Sequence, residues 1–271
     1  MIAIVFIMAL APLLASCQSA SAVKDESGAE AVVVPEKEIE LSARLTQNLE
    51  RAYGAWKDAH VEGLLVQLTS TLLAQDEALR RLAAGVKVRL LASPLPFAVA
   101  GPNKIIYVTR GALASAQYEN ELAYLLSGPL VMIRDEVPLK RLRTLQREEI
   151  GSGILVLPTA PPSLRFDFLA SGWFEAGGLF DYGAEVYLNS DREAVDLPYR
   201  AKFDHRGAAS LFKRWSESPD LRRIRAFWKI MPDITERYEV IHDEVAKTLP
   251  LRDPLLNTKA FEEFRKRVRL R

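Results

Sequence analysis

The sequence contains little cysteine and little histidine. Cys17 is the only cysteine, so no disulfide can form within the chain. The histidines, His60, His205 and His242, are scattered, and no two of them lie at the spacing that places two zinc ligands on one face of a helix. His205 falls in a predicted turn, where we expect it at the surface. The histidines therefore indicate no metal site.

The sequence also lacks an excess of positive or negative charge, and it lacks several catalytic motifs. The formal net charge is +1, so the composition gives no indication of nucleic acid as a partner. Serine-nucleophile motifs, Walker phosphate loops and dinucleotide-binding glycine patterns are missing. With 49% hydrophobic and 26% charged residues over 271 positions, the composition is that of an ordinary globular protein. The length suffices for one domain with a good core.

The N-terminus carries an apolar run, Ile2–Leu14, that is too short to span a bilayer. It ends in Leu-Ala-Ser-Cys, which is similar to the lipobox of bacterial lipoproteins. We therefore expect residues 1–17 to be a lipoprotein signal peptide with Cys17 as the acylated residue, although no basic residue precedes the run. An ordinary signal peptide or a buried N-terminal helix is the alternative. Residues 18–36, which are small and polar, are expected to form a flexible tether.

Periodicity predicts a mostly helical α+β domain over residues 37–271. Apolar residues at helical spacing predict one helix from Glu36 to Trp56 and a second from about Val61 to Leu82. Short apolar runs predict strands at Val86–Leu91, Phe97–Ala100 and Lys104–Thr109, with a tight turn at Asn103. We expect these strands to form a small antiparallel sheet. Further helices are predicted from about residue 117 onward, with a kink or a break at Pro129.

Two passages resemble a known family. Ile106-Tyr107-Val108-Thr109-Arg110-Gly111 and Glu121-Leu122-Ala123 match phrases of the zinc metallopeptidases that include the CAAX prenyl proteases and the heat-shock proteases. The resemblance covers roughly residues 60–265. It implies a zincin-type metallopeptidase fold. It also implies that the chain is a degenerate member of this family, in its branch of periplasmic lipoproteins. It also makes Lys104–Thr109 the edge strand beside which substrate peptides lie.

The diagnostic residues of that family are replaced in this sequence. Its H-E-x-x-H motif, whose histidines bind Zn²⁺ and whose glutamate is the general base, falls on Gly128, Pro129 and Met132. Glycine has no side chain, proline cannot accept a proton, and a thioether is a poor ligand for Zn²⁺. The third ligand falls on Tyr187. The resemblance therefore implies no catalytic residues and no bound metal.

Other family positions are retained. Counting back from the turn at 200–204 places a family aspartate on Asp191, and an arginine after Met231-Pro232 matches Arg237. With the metal lost, Ile105, Tyr107, Pro129 and Met132 are expected to line a peptide groove.

The resemblance implies an inactive metallopeptidase homologue. We expect a binding or chaperone-like scaffold in protein quality control, lipid-anchored at the periplasmic face of the bacterial outer membrane. Its partners would be the membrane, through the anchor, and envelope proteins or peptides, without nucleic acid. Two alternatives stay open: an active zinc metalloendopeptidase with a non-standard ligand set, whose cofactor would be Zn²⁺, and a purely structural lipoprotein.

Overall fold

A computed structural model describes residues 36–152, 180–222 and 231–269. Its fold is α+β and mostly helical, as the sequence predicts. The strands are β1 Lys87–Leu91, β2 Ala98–Gly101 and β3 Ile105–Thr109. The helices are α1 Glu36–Tyr53, α2 Ala59–Leu73, α3 Glu77–Leu82, α4 Arg110–Ser115, α5 Glu119–Arg134, α6 Val137–Ser152, α7 Ala184–Ala194, α8 Asp196–Arg200, α9 Arg206–Glu217, α10 Pro219–Arg222, α11 Ile234–Lys247 and α12 Lys259–Arg269.

The helix predicted over 61–82 is two helices. The Asp58 carboxylate accepts hydrogen bonds at the start of α2, and Asp76 accepts one from the Leu79 N–H, 2.9 Å away, at the start of α3. A side-chain oxygen at this position satisfies an N–H that has no partner within the helix. The apolar spacing continues through both helices, so periodicity alone does not reveal the cap between them.

The sheet is mixed, and the prediction of an antiparallel sheet is wrong for one pair of strands. β2 and β3 pair antiparallel around the predicted turn, where Asn103 has the positive φ of 55° that its position suggested. β1 and β3 pair parallel. The chain reverses after β1, returns along β2, and then inserts β3 between the two. Thr109 fixes this path because its Oγ1 accepts a hydrogen bond from the Phe97 N–H.

The strand order β1-β3-β2 makes β3 the middle strand, so the prediction of an edge strand at Lys104–Thr109 is wrong. All five residues of β3 are buried. The run from Ile105 to Val108 is apolar at every position instead of alternating, which is typical of a strand covered on both faces. The edges of the sheet are β1 and β2.

Helix α5 lies at the centre of the domain and contacts β2, α2, α7 and α9. Every residue of α5 except Gly128 and Arg134 is buried. The predicted break does not occur, since the helix continues through Pro129. A proline inside a helix costs about 3 kcal/mol. Burial of Leu130 and Val131, at roughly 1.5–3 kcal/mol for each side chain, offsets that cost.

The C-terminal helix α12 begins after Thr258, whose hydroxyl accepts a hydrogen bond from the Phe261 N–H. Phe261 and Phe264 on its apolar face are buried in the core, where α12 contacts α2 and α4. Among the helices of the described residues, none combines the length and the apolar character needed to cross a membrane.

Candidate functional site

The three positions of the replaced H-E-x-x-H motif lie on α5, and the first of them, Gly128, contacts α7. The Ser190 hydroxyl of α7 donates a hydrogen bond of 2.9 Å to the Gly128 carbonyl. A Cβ atom built on Gly128 would lie 3.8 Å from the Ser190 oxygen, which is ordinary van der Waals contact. Pro129 is buried, and Met132 is 4% exposed. A side chain at position 128 would therefore contact α7 directly.

Tyr187, at the position of the third zinc ligand, lies on α7 and is buried. Its hydroxyl donates a hydrogen bond of 2.6 Å to the Phe180 carbonyl. Burial raises the pKa of Tyr187 well above its usual value, so the phenol stays protonated near neutral pH. The Tyr187 oxygen is thus held as a donor to the main chain and serves the packing of α7.

Asp191 and Arg237, the two retained family positions, form a buried ion pair. Arg237 Nε lies 2.6 Å from Asp191 Oδ2, and Nη2 lies 2.7 Å from Oδ1. The side chains are only 3% and 13% exposed, respectively. Tyr124 of α5 donates to the Asp191 main-chain carbonyl at 3.1 Å. This bidentate ion pair joins α7 to α11, and the Tyr124 hydrogen bond connects α7 to α5.

Aromatic rings extend the contacts of this pair through the domain. The Arg237 guanidinium lies 4.8 Å from the centre of the Phe212 ring and 5.7 Å from that of Tyr187. Tyr187 contacts Tyr182, whose ring centre is 5.7 Å away. The row continues through Phe180, which meets both Tyr182 and Tyr107 of β3 edge-on. We call Tyr107, Phe180, Tyr182, Tyr187 and Phe212 the aromatic row.

The predicted peptide groove is not open to solvent in the described part of the chain. Ile105 is 6% exposed, Tyr107 0% and Met132 4%, and Pro129 is buried as well. The Tyr107 hydroxyl is hydrogen-bonded to Thr46 Oγ1 of α1 at 2.6 Å. These side chains contribute to the core, because β3 lies between two strands and α5 is covered on nearly all sides.

The edge strand closest to α5 is β2, and its outer side is partly closed. The Tyr182 hydroxyl donates a hydrogen bond of 2.7 Å to the Ala100 carbonyl of β2. Helices α5 and α6 both contact β2. Tyr182 therefore takes one of the acceptors that an added peptide strand would use at this edge.

Sequence reasoning misses a group of buried polar residues where α5 begins. Glu121 is fully buried, and Arg214 of α9 binds its two carboxylate oxygens at 2.8 and 2.5 Å. His205, predicted at the surface, is 4% exposed and packs edge-on against Tyr199. Its Nδ1 atom and Asn120 Oδ1 are buried without a hydrogen-bond partner among the described residues. No spacing signal in the sequence distinguishes these residues from surface charges.

An open cleft lies at the other edge of the sheet, between α2 and β1. Its volume is about 330 Å³. Val66, Thr69 and Leu73 of α2 form one wall, while Lys87 and Arg89 of β1 belong to the other. Val66 is 56% exposed, so it presents apolar surface to solvent beside the cleft. The cleft is a concave surface that is open to a ligand.

Cys17 lies outside the described residues. Within residues 36–152, 180–222 and 231–269, no three side chains of histidine, cysteine, aspartate or glutamate are grouped to hold a metal ion. Comparison with models of known protein families gives no match, and comparison with curated proteins gives none either. The resemblance to zinc metallopeptidases therefore stays a prediction.

Proposed function

We propose that this chain is a non-catalytic relative of the zinc metallopeptidases that binds segments of other envelope proteins. We base this proposal on the hydrogen bonds and the ion pair that form where α5 meets α7. Tyr187, at the position of the third ligand, donates to the Phe180 carbonyl, the Gly128 carbonyl accepts a hydrogen bond from Ser190, and the neighbouring Asp191 pairs with Arg237. Residues that would have to be free for catalysis contribute to the core instead.

A binding role is supported by the sheet edge that remains. Peptide segments bind commonly at an exposed strand edge, whose free N–H and C=O groups pair with an added strand. The edge at β2 is partly closed by Tyr182, whereas the edge at β1 is bordered by an open cleft with the exposed Val66 beside it. A chaperone-like scaffold uses such a surface without cutting what it binds.

The proposed location follows from the N-terminus. Acylation of Cys17 would attach the domain to the periplasmic face of the outer membrane, and residues 18–36 would leave it free to reach neighbouring proteins. A lipoprotein cysteine carries more than one acyl chain, which suffices for stable anchoring. The bound proteins would then be those of the cell envelope.

Fluorescein-labelled casein tests the proposal, because casein is an extended chain that proteases cut readily. The full-length protein in detergent should raise the fluorescence anisotropy of casein in a saturable manner, and casein should remain intact on a gel with or without added Zn²⁺. Cleavage that a chelator stops would support the metalloendopeptidase alternative. An unchanged anisotropy would support a purely structural role. Either result contradicts the proposal.

A further inference from the structure

Some main-chain N–H and C=O groups of β1 point away from the rest of the sheet. Lys87 donates its N–H to the Lys104 carbonyl on the side of β3, at 3.0 Å. Because main-chain groups alternate in direction along a strand, those of Val88 point to the opposite side. Leu90, which shares that side, accepts a hydrogen bond of 3.1 Å from the Trp56 N–H.

The edge of β1 is therefore covered at one end and open at the other. Residues 54–56 cover it near Leu90 and Leu91 through an isolated antiparallel bridge. At Val88, no main-chain hydrogen bond to another described segment occurs on this outer side. A strand edge of this kind offers one N–H and one C=O to an added strand.

The cleft beside this edge has an apolar wall and an unpartnered hydroxyl. Val66 and Leu73 supply apolar surface from α2. Thr69, on the same wall, is 4% exposed, and its Oγ1 atom has no hydrogen-bond partner among the described residues.

The charged residues that line the cleft are all cationic. Lys87 and Arg89 are exposed and lie on one face of β1, opposite to the half-buried Val88. No carboxylate is found among the residues that line the cleft. A strand added at this edge would place alternate side chains beside the two cations and the intervening ones beside the apolar wall of α2.

We propose that the free edge of β1 and the cleft beside it bind an extended peptide in which acidic and apolar residues alternate. The main chain of the peptide pairs with Val88, its apolar side chains pack against Val66 and Leu73, and its carboxylates face Lys87 and Arg89. This inference rests on the proposed binding function and names its site and the chemistry of its ligand. Two main-chain hydrogen bonds and a small cleft imply modest affinity.

The probe is a fluorescein-labelled octapeptide that alternates valine and glutamate, titrated with the full-length protein and followed by anisotropy. We expect saturable binding at least tenfold tighter than that of the matched peptide with lysine in place of glutamate. The double variant Lys87→Glu with Arg89→Glu should reverse this preference, because the charge of the wall is reversed. The control, Lys213→Glu with Lys247→Glu, changes exposed lysines of α9 and α11 and should leave it unchanged.

A second variant tests the main-chain pairing. Val88→Pro removes the outward N–H while the bonds of Lys87 and Arg89 to β3 remain, and proline is tolerated on strand edges. It should weaken binding of the glutamate peptide at least tenfold, with the far-ultraviolet circular dichroism spectrum unchanged. If this variant does not fold, the charge reversal decides.

Two results would overturn the inference. One is an unchanged peptide preference in the charge-reversed variant, and the other is binding of casein without binding of the glutamate peptide. In the second case the proposed function stands and only the site is wrong. Failure to bind casein as well as the peptide would contradict both.

Discussion

The Asp191–Arg237 pair should be among the strongest single contributors to the stability of the domain. Replacing Arg237 with alanine leaves the Asp191 carboxylate buried at 3% exposure and removes both of its hydrogen bonds to the guanidinium. Removing one partner of a buried pair costs about 3–5 kcal/mol, since the remaining charge has no compensation. Loss of the cation–π contacts with Phe212 and Tyr187 adds about 0.5–2 kcal/mol.

Equilibrium unfolding in urea, followed by circular dichroism, measures this cost. A matched control is Arg200→Ala, because Arg200 pairs with Asp196 at the surface with about half of each side chain exposed. An exposed pair contributes about 0.3–0.5 kcal/mol. The two arginine variants should therefore differ by at least about 3 kcal/mol.

A double variant separates the buried charge from the packing. Asp191→Leu with Arg237→Met removes both charges and keeps apolar volume, so it should recover most of the stability lost in Arg237→Ala. If Arg237→Ala costs less than about 1 kcal/mol, the pair does not hold α7 and α11 together in the way described. If the double variant is as unstable as the single one, the loss comes from packing and not from an isolated charge.

Three further predictions concern other parts of the chain. Burial raises the pKa of Tyr107 from 10.0 to about 12, so the stability that this difference contributes is complete below pH 10 and is lost as the pH rises toward 12, at up to about 1.4 kcal/mol per pH unit in urea titrations. Gly111→Ala should cost at least about 2–3 kcal/mol by the same assay, since its Cβ would lie 1.9 Å from the Pro94 carbonyl oxygen, whereas Gly63→Ala, with nothing within 4 Å, should be neutral or stabilising. Cys17→Ala should leave an unprocessed precursor that a fatty-acid analogue does not label, and unchanged labelling would refute acylation at that residue.

The elements of the fold follow from local patterns, and their arrangement does not. The runs at 86–91, 97–100 and 104–109 predict three strands, and all three occur. Their order depends on the reversal after β1, which is held by bonds such as that from the Gly111 N–H to the Ser93 carbonyl. Such bonds have no periodic signature in the sequence, so β3 could be recognised as a strand but not as the middle one.

In the candidate site, too, the sequence predicts some of the residues but not how the chain arranges them. The resemblance places Asp191 and Arg237 as retained positions, and in the structure they are in contact. It does not predict the cleft between α2 and β1, because the sequence places its walls on elements whose contact depends on tertiary packing. The burial of His205 is missed for a related reason: turn residues are normally exposed, and here other elements cover the turn.

We propose that the scaffold of a metallopeptidase persists here without the metal chemistry. The most direct test of this proposal is the zinc content of the purified full-length protein by elemental analysis, with casein cleavage measured on the same sample. We predict well below one zinc per chain after dialysis and intact casein, because Gly128, Pro129, Met132 and Tyr187 supply no ordinary ligand set and no general base. About one zinc per chain, removed by a chelator together with a casein-cleaving activity, would contradict it.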